Sequence, residues 1–211
     1  SFIITSNFHP DTLYPDGLHR DRMLPTIALL KEKLDIVNVD SGNDYRKRAL
    51  EQVDAYYWPL NEKASEAMRV AFARIAETTD ENPHLKIEGR DVQALRRAGG
   101  VIWFDFATLC GGPRSQNDYL ELASRFHTVF LSDVPVMSAG MASAVRRFIW
   151  LIDVLYDHKI KLVMSAEVAM DELYTDGAQI AEFQRTVSRL IEMQSSEYME
   201  AERRHAGATI F

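Results

Sequence analysis

The sequence has very little cysteine and no long apolar run. Cys110 is the only cysteine among 211 residues, which excludes an intrachain disulfide and a thiolate metal cluster. The apolar runs are too short to cross a bilayer and are interrupted by charge, so we expect no transmembrane segment. The amino terminus lacks the basic region and cleavage site of a signal peptide, and together with the lone cysteine this predicts a cytoplasmic location.

Metal-binding and phosphate-binding motifs are also missing. The six histidines show no HExxH or paired-ligand spacing, so no metal site is predicted. The chain contains no GxxxxGK[ST] loop. Two strands, Val101 to Asp105 and Val129 to Asp133, end in aspartate like a Walker B strand but lack the following glutamate. We therefore predict that Asp105 and Asp133 are turn or cap residues and that the chain alone does not hydrolyse ATP.

The charge balance argues against a nucleic-acid partner. Lys and Arg number 24 against 31 Asp and Glu, which gives a net charge of -7. A negative field repels phosphate backbones, and the basic runs at 46–48 and 203–204 are short and lack interleaved aromatic residues. Acidic pairs such as Asp118 and Glu121 are predicted on an exposed helical face. We predict no nucleic-acid binding.

Residues 1–50 have the order of elements found at the end of an α/β sheet. A short apolar strand at Phe2 to Ile4 is followed by a helix at Leu24 to Leu34, with Pro25 in its first turn, and by a β-branched strand at Asp35 to Asp40. The order strand, helix, strand is typical of α/β folds. We treat this stretch as one region and residues 51–211 as a second.

The second region alternates predicted strands and helices. Gly89, Gly99 and Gly100 mark turns between strands. The last helix carries a long apolar stripe that is expected to dock on its own domain or on another protein. The predicted strands are 55–59, 85–88, 92–96, 101–104, 127–132 and 160–164, and the predicted helices are 62–76, 115–126, 142–157 and 181–204.

Asn7 stands where a ligand-binding residue is expected. It follows the buried strand directly, and open α/β sheets bind ligands at the carboxyl edge of their strands. The alternative is that Asn7 only caps or turns the chain, a common role for asparagine.

Several motifs together resemble one protein family. The run TSNxxPDxLYxxGLxRxxxxP from Thr5 to Pro25 and the segment DSGxDYR from Asp40 to Arg46 resemble the ZapE/AFG-like branch of AAA+ ATPases. Later segments continue the resemblance, so that it covers essentially the whole chain: DFATLCGGPRSQNDYLELA (105–123), RRFIWLIDVLYDHKIKLVMSAE (146–167) and FQRTVSRLIEMQSSEY (183–198). The resemblance implies the carboxyl-terminal part of a three-layer P-loop fold, followed by a lid-like α/β region that ends in a long amphipathic helix.

The resemblance also implies roles for individual residues. Asn7 corresponds to sensor 1, which hydrogen-bonds the attacking water or the γ-phosphate. Arg20 and Arg22 are candidates for an arginine finger, and Arg20 is favoured because it occupies the GLxR position; surface ion pairs are the alternative. Arg146 and Arg147 resemble sensor 2. In each pair, helical geometry allows only one arginine to face a phosphate. Arg185 and Arg189 are second choices for sensor 2.

The expected function follows from the same resemblance. It implies an ATP- and Mg²⁺-dependent hydrolase, homo-oligomeric in its full-length form, that acts on the tubulin-like division protein FtsZ and is recruited to the division site at the inner membrane. The family carries its Walker motifs upstream of the TSN strand, and this sequence contains neither. The alternative is a non-catalytic interaction or oligomerisation module whose arginines form salt bridges.

Overall fold

The computed structural model describes residues 10–12, 20–36, 53–201 and 203, and of Thr12 and Arg20 only the backbone. The chain divides into two compact units, residues 1–43 and 44–211, which are described separately. The predicted strand at Phe2 to Ile4 lies outside the described residues. So does the predicted strand at Asp35 to Asp40, except for its first two residues.

The described part of the first unit is mainly one helix. A 3₁₀ turn, Pro10–Thr12, precedes helix α1, Arg20–Lys33. Lys31 Nζ forms an ion pair with Asp11 Oδ1 at 2.8 Å. The helix begins earlier than predicted, so Pro25 lies inside it rather than in its first turn. Because Pro25 has no N–H, its position removes one hydrogen bond from the helix interior.

The second unit holds the remaining helices and strands. Its strands are β1 Tyr56–Tyr57, β2 His84–Ile87, β3 Arg90–Gln93, β4 Arg96–Ala98, β5 Val101–Asp105, β6 Thr128–Val134 and β7 Lys161–Ala166. Its α-helices are α2 Glu62–Ala76, α3 Gln116–Arg125, α4 Ala142–Asp157, α5 Ile180–Met193 and α6 Ser196–Glu200. A π-helical turn spans Ala107–Gly111, and 3₁₀ turns span Ala139–Met141 and Met170–Glu172.

Five strands form a mostly parallel sheet in the order β1-β7-β6-β5-β4. The first four in this order run parallel, and β4 pairs antiparallel with β5. Strands β2 and β3 form a separate antiparallel hairpin. The α/β class predicted from the sequence is confirmed, and the sheet is consistent with a P-loop AAA+ type fold.

Helices cover both faces of the five-stranded sheet. On β5, Val101 and Trp103 join one buried cluster with Phe72 of α2, whereas Ile102 and Phe104 join a second cluster with residues of α3, α4 and α5. This alternation is the two-residue period of a strand, and burial on both faces explains why β5 is continuously apolar. Within the described ranges, no helix has the length and apolar content needed to cross a membrane.

The predicted strand at 92–96 is wrong in its extent. The chain pairs with β2 up to Gln93 and then leaves the hairpin, because the N–H of Leu95 donates to Trp103 O of the main sheet at 2.7 Å. The predicted turns are confirmed. Gly89 follows Glu88 in the two-residue loop of the hairpin, and both have positive φ, as a type I′ turn requires.

The predicted single helix at 181–204 is also wrong, because it is two helices. Helix α5 ends at Met193, and Ser195 adopts an extended backbone with φ -67° and ψ 146°. Its Oγ accepts a hydrogen bond from the N–H of Tyr198 at 3.2 Å, which caps α6. The break buries the Tyr198 ring, whose hydroxyl lies 3.1 Å from Leu155 O at the end of α4.

Candidate functional site

The structure describes some of the predicted site residues and not others. Asn7 lies outside the described residues. Arg20 is the first residue of α1, and its side chain also lies outside them. Arg22 is exposed two positions further along the same helix and forms no ion pair with any described residue. Because two helical residues differ by about 200° around the axis, positions 20 and 22 lie on different sides of α1.

Arg146 and Arg147 lie together on the first turns of α4. They line an open cleft of about 280 Å³ with Ala142, Ser143 and Trp150. These five positions follow the i, i+1, i+4, i+5, i+8 spacing of one helix face, so the cleft runs along a single face of α4. It is the candidate ligand site of the second unit.

The two arginines of the cleft differ in what their guanidinium groups contact. Arg147 is partly buried; its Nε donates to Cys110 O at 2.6 Å and its Nη2 to Gly111 O at 3.4 Å. Arg146 is exposed, and no described residue gives it a hydrogen bond or an ion pair. Arg146 therefore has its full charge available to a ligand, whereas Arg147 is held by backbone carbonyls.

The amino-terminal end of α4 adds to the positive potential of the cleft. The helix has no acidic residue in its first turn, and the N-cap Met141 has no side chain that accepts from the first N–H groups. The 3₁₀ turn Ala139–Met141 leads directly into α4, and the helix dipole favours negative charge at this end. With Arg146 on the adjacent turn, the arrangement suits a phosphate or carboxylate.

Asp118 is the clearest correction to the sequence analysis. It was expected on an exposed face, but it is 1% exposed. Its Oδ2 accepts hydrogen bonds of 2.7 Å from both the N–H and the Oγ of Ser115, and its Oδ1 pairs with Arg90 and lies 3.7 Å from Arg114. The Ser-x-x-Asp spacing at the start of α3 is a capping-box pattern, and this signal indicates the hydrogen bonds to Ser115 but not the burial. Glu121, the other half of the pair, is partly buried and accepts hydrogen bonds from the Glu88 N–H and from Arg125.

Burial and hydrogen bonding act on Asp118 in opposite directions. Burial alone raises the pKa of this carboxyl, but the hydrogen bonds from Ser115 and the charge of Arg90 outweigh it and hold the pKa below its usual range. Asp118 therefore stays ionised near neutral pH. Its ion pair with Arg90 ties the β2–β3 hairpin to α3.

The aspartates of the two Walker B-like strands have local backbone roles. Asp105 Oδ1 accepts from the N–H of Thr108 at 2.6 Å and caps the π-helical turn, as predicted. Asp133 has φ 61° where β6 departs from regular pairing, and its Oδ2 accepts from Ser132 Oγ at 2.9 Å.

In the part of the chain that the structure describes, no group of three or more His, Cys, Asp and Glu side chains is arranged to hold a metal ion. Cys110 is fully buried, and burial raises the pKa of its thiol.

Arg185 and Arg189, the second choices for sensor 2, are engaged elsewhere. Both pair with Asp153 of α4, Arg185 at 3.6 Å, and Arg189 also lies 3.7 Å from Asp157. The Arg189 guanidinium stacks 4.8 Å from the Tyr156 ring centroid. These contacts join α5 to α4. Of the four sensor 2 candidates, Arg146 is the one with no described partner.

Comparison with known proteins specifies the class to which this mostly parallel α/β fold belongs. The family model described as AFG1-like ATPase matches residues 1–202. The chain belongs to the AFG1-like ATPase family.

Three curated relatives cover a wide range of organisms. The cell division protein ZapE of Escherichia coli K12 is 43% identical over 203 residues, which are 96% of this chain and 54% of that protein. An uncharacterized protein of Schizosaccharomyces pombe is 38% identical over 81% of the chain and 38% of its own length. Lactation elevated protein 1 homolog B of Danio rerio is 34% identical over 93% of the chain and 46% of its own length. The chain spans about half the length of the first curated relatives it matches, and no solved structure matches it.

Proposed function

We propose that this chain is the nucleotide-sensing part of an ATP hydrolase that acts in cell division. The match to the AFG1-like ATPase model over residues 1–202 carries the proposal, and the similarity to the cell division protein ZapE supports the cellular role. The partner proposed is the FtsZ ring, with ATP and Mg²⁺ as cofactors, a homo-oligomeric assembly and a cytoplasmic location at the division site. Because the 211 residues contain no GxxxxGK[ST] loop, we expect them alone to show no ATP turnover.

Within this proposal, Arg146 is the sensor arginine of the α4 cleft. It is exposed, lies near the amino-terminal end of the helix and has no described partner, whereas Arg147 is bonded to two carbonyls. A guanidinium suits a phosphate because it offers several N–H donors in a fixed plane. Asn7 and Arg20 keep the roles of sensor 1 and arginine finger, and Arg22 is the alternative finger. The chemistry that ATP supplies is transfer of its terminal phosphoryl group to water.

The test is ATP turnover by the protein expressed from its complete reading frame. We expect Arg146→Ala, Asn7→Ala and Arg20→Ala each to lower kcat/KM at least about tenfold, since each removes a donor or charge near the phosphates. Arg69→Ala on α2 is the matched control, because Arg69 is a half-exposed helical arginine that, among the described residues, pairs with its neighbour Glu66. Unchanged turnover in all three variants would contradict the assignment of these residues to the nucleotide site.

A second candidate function is an interaction module, and the surface of α1 favours it. Met23, Leu24 and Leu29 are 39%, 51% and 54% exposed, an unusual share of apolar surface for one short helix. We expect Leu24→Glu to weaken self-association of the chain in sedimentation velocity, whereas Thr26→Glu, about 200° away around the helix, does not. Equal behaviour of the two variants would argue against an interface that uses Leu24.

A further inference from the structure

The π-helical turn at Ala107–Gly111 is held by side chains along its carbonyl groups. The carbonyl groups at the carboxyl end of a helical turn lack intrahelical partners, and here they are the four consecutive carbonyls of residues 108–111. Each of them accepts a hydrogen bond from a side chain: Thr108 O from Arg114 Nε at 3.3 Å, Leu109 O from Tyr119 Oη at 2.8 Å, Cys110 O from Arg147 Nε at 2.6 Å and Gly111 O from Arg147 Nη2 at 3.4 Å. The turn lies within the 105–123 motif, which the candidate site does not otherwise use.

The donors reach the turn from two directions. Tyr119 is fully buried on α3, and Arg114 is held beside the buried Asp118. Arg147 is the donor that comes from α4. It therefore links the turn that follows β5 to the helix that carries the candidate cleft.

Arg147 is also the immediate neighbour of Arg146. Consecutive helical residues differ by about 100° around the axis, so the two guanidinium groups leave α4 in different directions but from the same turn. The Cys110 and Gly111 carbonyls carry partial negative charge and would attract any nearby arginine that was free to reach them. While Arg147 donates to both carbonyls, these acceptors are not available to the Arg146 guanidinium.

We propose that Arg147 is a positioning residue for Arg146. By occupying the Cys110 and Gly111 carbonyls, it fixes the first turns of α4 against the 107–111 turn and keeps the Arg146 guanidinium in the cleft, where it binds a phosphate of the nucleotide. This inference rests on the proposed function of Arg146. It assigns Arg147 an indirect role, in place of the direct phosphate contact that the sequence left open.

The test is a double-mutant cycle on the protein expressed from its complete reading frame. The probe is a fluorescent N-methylanthraniloyl derivative of ATP, and the measured quantity is its Kd. We expect Arg146→Ala to weaken binding about tenfold, the loss expected for one charge-assisted hydrogen bond. Arg147→Met should weaken binding by several fold but cause no further loss in the Arg146→Ala background, because it acts only through Arg146. Arg147→Lys, which keeps a donor for Cys110 O, should restore most of the affinity.

The control is Arg69→Met on α2, which removes a half-exposed helical arginine that pairs with Glu66 and does not line the cleft. It should leave Kd within about twofold. The positioning role is overturned if Arg147→Met leaves Kd unchanged while Arg146→Ala weakens it, or if the two effects multiply in the double variant. If Arg146→Ala itself has no effect, the proposed function of Arg146 fails, and the positioning role fails with it. If thermal denaturation shows that Arg147→Met does not fold, the same cycle is measured with Arg147→Lys. The positioning role then requires that the partial loss of affinity caused by Arg147→Lys disappears in the Arg146→Ala background.

Discussion

Helices α1 and α4 both carry arginines with proposed roles at a nucleotide, but they are anchored very differently. Among residues 21–33 of α1, only Ile27 is buried. Helix α4 buries eight of its 16 residues: Ala144, Val145, Phe148, Ile149, Leu151, Ile152, Val154 and Leu155. The helix from which Arg146 projects is therefore fixed by a packed core. The contacts within the first unit leave most of the α1 surface uncovered, including three large apolar side chains.

The difference indicates two ways to present an arginine. On α4, the sheet and the neighbouring helices fix the position of the helix before any ligand arrives, and such preorganisation reduces the ordering cost of binding. On α1, the exposed apolar residues are suited to being covered by another surface. Three substitutions in and around α4, ordered by expected effect, and one comparison substitution in α1 probe this contrast.

The largest effect is expected from removing a core ring of α4. Phe148 is fully buried and stacks on Phe183 of α5 with ring centroids 5.9 Å apart. We expect Phe148→Ala to lower the free energy of unfolding by about 3–5 kcal/mol, because it leaves a cavity that the packed neighbours cannot fill. Chemical denaturation followed by circular dichroism measures this value.

Leu29→Ala in α1 is the matched comparison. Its side chain is 54% exposed, so we expect a change of less than about 0.5 kcal/mol. Similar losses in the two variants would mean that the contrast in anchoring between the two helices is wrong.

A smaller effect is expected at Asp118, which secures the helix packed along α4. Asp118→Asn should cost about 2 kcal/mol near neutral pH, because it removes the acceptor charge from Arg90 and Arg114. Since the folded pKa of Asp118 lies below the unfolded value of about 3.9, its contribution is present above that pH and is lost as the pH falls through the folded pKa.

The pH dependence supplies the control for this prediction. The difference in unfolding free energy between the native protein and Asp118→Asn should shrink steadily as the pH is lowered below about 4. A difference that stays constant over this range would show that the carboxylate charge of Asp118 is not what stabilises α3.

The smallest of the three effects in and around α4 is expected at the carboxyl end of this helix. The Tyr198 hydroxyl lies 3.1 Å from Leu155 O and 3.3 Å from both Tyr156 O and Ile160 O. Tyr198→Phe should cost about 1 kcal/mol by removing a buried hydrogen bond while keeping the ring. Hydrogen exchange should rise at the end of α4 and in α6. Exchange that is unchanged there would show that the ring alone holds α6 in place.

Some elements were predictable from the local pattern. The helices at 62–76 and 142–157 have the predicted bounds, because each has strong helical apolar spacing. At the first, Asn61 Oδ1 accepts from the N–H of Ala64 at 2.8 Å and fixes the start. The glycine turns were also predictable, since their positive φ values favour glycine.

Other features were not predictable, because a local pattern does not specify its partners. The apolar spacing of 181–198 continues through Ser195, yet the chain breaks there so that Tyr198 reaches the end of α4. Asp118 looked like a surface acid because the basic residue that pairs with it most closely, Arg90, is 28 positions earlier in the chain.

The sequence by itself determined the α/β alternation, the glycine turns, the family and the two arginine pairs. Those properties depend on residue type and spacing, which are local. The tertiary structure decided that Arg147 is bonded to the Cys110 and Gly111 carbonyls and that Arg146 faces an open cleft. Neighbouring arginines are equivalent in sequence, and only the packing of α4 against the turn after β5 makes one of them a structural donor and leaves the other available to a ligand.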